Sequence, residues 1–329
     1  MTSDISSART TRPRDTRRRE QAAPSTEPRR RQPSHHRSAQ YRRGVPYAFL
    51  SPFFVLYALF LLIPTLIALW ISLHTWTGIG AMQWVGLDNY VRLFRDTSFQ
   101  TAALNTFWYV AASVLIIVPI SLIIATALAA KGLRARDLFR VAFFIPFILS
   151  PVVVALVFTI LFDPNAGLVN SLLNSLFGIG PVNWLGDAFW AKVTVIILMV
   201  WRYTGYLVIY FLAGLQSIPT ELYEAAELDG AGLFAKFRNV TIPMLAPVTA
   251  FVAITSFVGA AQIFEEPFIL TQGGPGESTL SIAYFIYRAA FTREQLGYAA
   301  AASFLLFIVL FIFTRLARQF FGIGREDRA

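Results

Sequence analysis

Cysteine is missing from the 329-residue chain, which removes disulfide frameworks, thiol nucleophiles and cysteine metal sites from consideration. Charge is scarce as well: Asp, Glu, Lys and Arg make up 14% of the residues, against about 25% in soluble globular proteins. Histidine occurs three times, as His35 and His36 in a basic amino-terminal stretch and as His74 after the first apolar run, a scatter that supports neither a metal site nor a catalytic base. No G-x-x-x-x-G-K-[ST] is present, so the Gly273-Gly274-Pro275-Gly276 run is no phosphate cradle and the chain is not expected to hydrolyse ATP alone. The H-E-x-x-H, G-x-S-x-G and G-x-G-x-x-G patterns are absent too, which argues against metalloprotease, hydrolase and dinucleotide chemistry. If this protein acts on something, it moves it.

What fills the chain is apolar. Hydrophobic residues reach 56% and aromatics 15%, with 30 Phe, which excludes both wholesale disorder and an ordinary water-soluble domain. The net charge of +9 invites a nucleic-acid reading until its location is considered. Residues 1 to 43 hold 12 Arg against Asp4, Asp15, Glu20 and Glu27, which leaves the remainder close to neutral. Such a Pro-, Ser- and Thr-rich basic stretch cannot bury enough apolar surface to order itself, so residues 1–44 are expected to form a disordered tail whose Arg holds the start of the first span on the cytoplasmic side. No nucleic-acid partner is expected.

Six segments are long and apolar enough to cross a bilayer core of about 30 Å. They run from Tyr47 to Leu73, Ala103 to Ala130, Val141 to Phe162, Val193 to Leu215, Pro247 to Leu270 and Tyr298 to Phe320. Prolines within or at the ends of these spans, such as Pro64, Pro119, Pro146 and Pro151, imply bundled helices that re-satisfy the freed backbone groups. Outside the tail, the connections on the side shared with both termini carry ten Lys and Arg, and those on the opposite side carry five. Both termini are therefore expected in the cytoplasm. The expected fold is all-α, a polytopic six-helix membrane domain over 45–321 between the basic tail and a short carboxy-terminal tail, 322–329. No internal repeat is visible.

Between the fourth and fifth spans lies a polar loop, 217–247. Pro219 or Thr220 can open a helix, and Glu221 and Glu224 suit its positive end. Gly230 then permits a sharp turn into a second stretch carrying Phe234 and Phe237. A helix, turn and helix exposing apolar groups is normally a docking surface.

Glu224-Ala225-Ala226, Gly230 four residues on, and Val240, Ile242 and Pro243 resemble the EAA loop of permease subunits of binding-protein-dependent ABC importers, and Asp229, Ala231, Phe237 and Pro247 extend the match. Thr271 to Thr279, followed by Tyr284, Tyr287 and Phe291, is similar to the carbohydrate-uptake branch of that family, the maltose, glycerol-3-phosphate and trehalose type. So are Trp84 to Tyr90 and Asn105-Thr106. The resemblance covers roughly residues 45 to 321. It implies the MetI-like permease fold in a bacterial cytoplasmic membrane, a second homologous permease as heterodimer partner, two cytoplasmic ATP-binding subunits that hold ATP and Mg, an extracytoplasmic solute-binding protein, and a sugar as cargo. No cofactor or metal is implied in this chain. Within the loop, Glu224, Ala225, Ala226, Asp229, Gly230, Ala231, Phe237 and Pro243 would couple to the ATPase, with Glu224 either docking or only capping its helix.

For the solute path, Arg202 lies inside the fourth span, where a charge costs about 2.5–3.5 kcal/mol on insertion scales and must face a partner or a wet cavity. Met199, Arg202, Tyr203, Tyr206 and Tyr210 share its helical face. On the fifth span Ser256, Gly259, Ala260 and Ile263 form a small-residue stripe, which serves either close helix packing or space for a hydroxyl-rich solute. Gln262, Glu265 and Glu266 follow it and are expected at a solvated outer rim. Two other classes fit parts of the sequence: a secondary transporter, and a membrane assembly or scaffold protein.

Overall fold

The computed structural model describes residues 45–130 and 136–321. The expected tails, 1–44 and 322–329, and the connection carrying Lys131 and Arg134 lie outside the described residues. The chain divides into two units, Met1–Val55 and Leu56–Ala329. Of the first, the described part is the start of helix α1 (Val45–Tyr57), whose Tyr47, Phe49, Phe53 and Phe54 are exposed.

In the second unit α2 (Ile63–Ser72) leads to a two-strand hairpin, β1 (His74–Thr75) against β2 (Gln83–Trp84). Next come α3 (Asp88–Arg95) and α4 (Thr97–Ala112), the latter continuing through a π-turn at Ser113–Ile117 into α5 (Val118–Ala129). Then follow α6 (Arg136–Ile148), α7 (Pro151–Leu161), α8 (Leu168–Phe177), the long α9 (Ala188–Gln216), α10 (Thr220–Leu228), α11 (Leu233–Lys236), α12 (Ile242–Met244), α13 (Ala246–Ala261), α14 (Glu265–Leu270), α15 (Ile282–Tyr287) and α16 (Leu296–Phe320).

Five helical stretches among the described residues are long and apolar enough to cross a membrane: Phe49–Ser72, Thr97–Ala129, Ala188–Gln216, Ala246–Leu270 and Leu296–Phe320. The expected third span, Val141 to Phe162, is not one rod. It is the pair α6 and α7, bent by 96°. Pro151 opens α7, and a proline pushes the residue before it out of the helical region; Ser150 accordingly has φ −55° and ψ 126°. Pro146, inside α6, leaves that helix unbroken.

Two spans start earlier than expected because aspartates cap them. The Asp96 carboxylate accepts from the N–H of Ser98 and Phe99 at the head of α4, and Asp187 accepts from Phe189 and Trp190 at the head of α9. Past α7, the Asp163 carboxylate accepts from the backbone N–H of Ala166 and Asn165, which holds it below the ordinary carboxylate range.

One core gathers on α9, with Val195, Leu198, Met199, Val208 and Phe211 buried against Tyr109, Ile117, Leu245 and Val252. At Gly205 the backbone of α6 comes so close that a Cβ would lie 1.7 Å from the Phe143 carbonyl oxygen, so only glycine fits the crossing. A second core joins Leu93, Phe99, Leu280, Phe285 and Tyr298. Here the stretches singled out in the sequence meet. The Asn105 amide donates to the carbonyls of Glu277 and Leu280, Tyr109 donates to the Thr279 carbonyl, and the Ile282 N–H donates to Thr106. Asn89 donates to the carbonyls of Ser72 and His74 and so ties α3 to the hairpin. The motif residues thus satisfy the backbone of irregular loops that would otherwise expose bare polar groups.

Candidate functional site

Arg202 is 7% exposed, and its Nη1 donates to Glu266 Oε1 at 2.7 Å and to Glu265 Oε2 at 3.1 Å. Tyr203 donates its hydroxyl to the same Glu266 oxygen at 2.8 Å. The cation therefore faces a partner, as its position inside an apolar helix demands. The placement expected for Glu266 is corrected: it is 3% exposed and not at a solvated rim. A break after α13, with Gln262 and Phe264 out of helical geometry, shifts the register so that α14 turns Glu266 inward. Gln262 and Glu265 are exposed, Glu265 while still within reach of Arg202.

Beside this pair, across Tyr203, lies a cavity of about 220 Å³. Met199, Tyr203, Tyr206, Ser256, Gly259, Ala260 and Ile263, drawn from the two faces read in the sequence, all line it. Arg202, Tyr210, Gln262 and Glu266 do not. Gly259 decides the role of the small-residue stripe: a Cβ built there meets nothing within 4 Å, so at that position the stripe leaves space and does not seal a helix contact. Ser256 has a buried hydroxyl with no hydrogen-bond partner among the described residues, and such a group costs about 1–3 kcal/mol until something pairs with it. The Tyr206 hydroxyl meets that of Tyr210 at 2.8 Å, and its ring stacks on Phe147 with centroids 4.3 Å apart.

Four lining residues were not found by sequence reasoning: Ser113, Phe147, Leu207 and Thr255. Ser113 stands at the π-turn between α4 and α5, and Phe147 sits just before the 96° bend. Neither feature has a periodic signature in the sequence.

The loop at 217–247 has the expected two limbs. Helix α10 starts after Pro219 and ends in a Schellman closure: the Ala231 N–H reaches the Ala226 carbonyl at 2.9 Å, the Gly230 N–H reaches that of Glu227 at 3.0 Å, and Gly230 takes φ +77°. This closure accounts for the spacing of Ala226, Gly230 and Ala231, with Asp229 as the capping position. Glu224 is the fifth residue of α10 and exposed, past the first turn, so capping is not its role. Ala225 is exposed, Ala226 half-buried. Lys236 donates to Glu227 at 2.7 Å, and Tyr223 meets Thr241 at 3.0 Å, which together hold the second limb against the first. Phe237 is half-buried in the π-turn after α11 and Pro243 exposed in α12. The tip leaves Leu228 90%, Leu233 85% and Phe234 73% exposed.

A charge pair held inside an apolar helix pair, beside an internal cavity, belongs to a protein that passes a solute through a membrane, a permease. Residues 117–321 match the family described as binding-protein-dependent transport system inner membrane component, and the chain belongs to it. The lactose transport system permease protein LacF of Rhizobium radiobacter is 38% identical over 286 residues, covering 86% of this chain and 94% of the relative. The arabinooligosaccharides transport system permease protein AraP of Bacillus subtilis is 34% identical over 283 residues, covering 85% and 90%. Among solved structures, a bacterial ABC transporter involved in the import of the acidic polysaccharide alginate superposes with a TM-score of 0.75 at 25% identity, over 86% of this chain and 97% of that one.

Proposed function

We propose that the chain is one of two homologous permease subunits of an ATP-driven sugar importer, in a bacterial cytoplasmic membrane with both termini cytoplasmic. The observation that carries this reading is the knob formed by α10 and α11, whose tip residues Leu228, Leu233 and Phe234 are left largely exposed by the described residues. A surface of that kind is stable in water only when something covers it. The occupant is a cytoplasmic ATP-binding subunit, one of a pair that binds ATP and Mg, with Glu224 and Asp229 as the charged rim of the contact and Gly230 setting its turn. Closure of the ATPase pair on ATP displaces the knob and shifts the bundle between inward-facing and outward-facing states, each favoured by different contacts.

The cargo is a mono- or oligosaccharide or a derivative, delivered by an extracytoplasmic binding protein. Support comes from the named substrates of the relatives and from the cavity itself. The aromatic faces of Phe147 and Tyr206 suit the apolar side of a sugar ring, and the Tyr206 hydroxyl and the Ser256 hydroxyl, which has no partner among the described residues, suit its oxygens. Arg202 and Glu266 hold Tyr203 in the wall and do not reach the cargo.

Uptake into vesicles tests this directly. Transport should require the ATP-binding subunits together with internal ATP, and an imposed ion gradient should drive none. Import by the chain without those subunits would identify a secondary transporter instead.

A further inference from the structure

A second hollow, on the outside of the bundle, carries a separate binding chemistry. Helices α5 and α6 both pack along α9 but diverge from each other, leaving a groove of about 400 Å³ lined by Ile120 and Ile124 of α5, Phe139, Ala142, Phe143 and Pro146 of α6, and Val200, Trp201 and Thr204 of α9. The one hydroxyl in its lining is spoken for, because Thr204 donates it back to the Val200 carbonyl at 2.5 Å. The lining presents mostly apolar atoms to an occupant.

One end of the groove is cationic. Arg136 opens α6 and reaches across to the end of α5, donating to the carbonyls of Leu128 and Ala129, each at 2.6 Å, and more weakly to Ala130. These bonds satisfy the last carbonyls of α5, yet among the described residues no carboxylate neutralises the guanidinium. Arg140, one turn on, pairs with Asp137, which is nearly fully exposed. From Arg136 to Pro146 the helix rises about 15 Å, half the thickness of a hydrocarbon core of about 30 Å. On α6 the lining runs from Phe139 to Pro146, with the Arg136 guanidinium one turn before it at the end of α5.

We infer that this groove binds an acidic phospholipid, with the headgroup phosphate at Arg136 and one acyl chain along α5, α6 and α9. A mostly apolar groove with an unneutralised guanidinium near one end matches a lipid, whose acyl chain is apolar along its length and whose charge sits at one end. Charge favours an anionic headgroup over a zwitterionic one, for basic residues beside transmembrane helices attract acidic lipids by about 1 kcal/mol each. The site requires no particular orientation of the chain and no particular cargo.

The test uses the full chain, purified with the subunits that accompany it and placed in nanodiscs, with phosphatidylglycerol and phosphatidylcholine probes that carry the same photoactivatable acyl chain. After irradiation, peptide mass spectrometry should find adducts in segments 120–124, 139–146 and 200–204, with phosphatidylglycerol favoured about fivefold. Arg136→Gln should equalise the two probes, Arg136→Lys should keep most of the preference, and Ala142→Trp, which fills the groove from an exposed position, should lower labelling by both. Equal labelling of the unmodified protein by the two probes would overturn the inference, and so would a groove free of adducts because the second permease subunit covers it. Uptake is not read in this assay, so failure of the proposed cargo or coupling leaves its outcome unaffected.

Discussion

The cavity wall and the knob place their least soluble chemistry in opposite ways. At the wall, Tyr203 and, behind it, Arg202 and Glu266 bury charge and hydroxyl and pair them with one another inside the chain. In the knob, a tightly closed backbone presents Leu228, Leu233 and Phe234 to the outside. The wall is thus determined by the chain's own packing, and damage to it should show in folding. The knob is complete only with a neighbour, so damage there should show in coupling while the chain stays folded.

The largest expected effect separates the two regions at once. Glu266→Ala leaves the buried Arg202 with the half-exposed Glu265 as its remaining counter-charge, so the loss should approach but not exceed the roughly 3–5 kcal/mol of a fully broken buried pair. The unfolding midpoint of the purified chain should fall sharply, and Arg202→Met combined with Glu266→Met should recover most of the loss. An unchanged midpoint for Glu266→Ala would mean that the pair contributes nothing to the fold.

Next comes Gly230→Pro, since proline cannot take the φ of +77° that the Schellman closure needs. Uptake should drop within the range of about 5–150-fold typical of coupling between sites, with ATP hydrolysis and the folded fraction retained. Glu224→Lys should act in the same direction with a smaller loss. Uptake as in the unmodified protein for both variants would place the docking contact elsewhere.

Tyr206→Ala should raise the half-saturating sugar concentration about tenfold, from the loss of a stacked ring and a hydroxyl, while subunit assembly is unchanged. Tyr206→Phe keeps the ring and should lose less, and equal kinetics for all three proteins would remove Tyr206 from the path.

The smallest effect lies outside both regions. Because the folded chain holds the Asp163 carboxyl below its ordinary range, the turn after α7 gains stability above that range and loses it as the pH falls. Asp163→Asn should flatten this acid-side loss in a denaturation series, and an identical pH profile would show that the two backbone hydrogen bonds add nothing.

Much of the molecule was legible in its residues. Long apolar runs announce helices wherever they pass, and the order from Glu224 to Ala231 encodes a helix, its closure and its turn in purely local chemistry. The face of α9 was legible too, because a span of 29 residues keeps its periodicity. What could not be read depends on where backbones break. Pro146 and Pro151 look alike in sequence, yet only the second turns the chain through 96°. The rim placement of Glu266 failed for the same reason: periodicity carried along α13 stops counting at Gln262, and the new helix points a different side inward. Phe147 reaches the cavity by stacking on Tyr206, a contact between two spans that neither span's periodicity announces.

The bare crossing at Gly205 has a mechanical meaning. Where two helices touch through side chains, each can slip by a rotamer; where the Phe143 carbonyl rests against naked backbone, no soft layer is left to absorb a shove. Whatever drags α9 therefore drags α6 with it, and the stacked Phe147, one turn past the contact on α6, and Tyr206, the next residue on α9, travel as a single jaw.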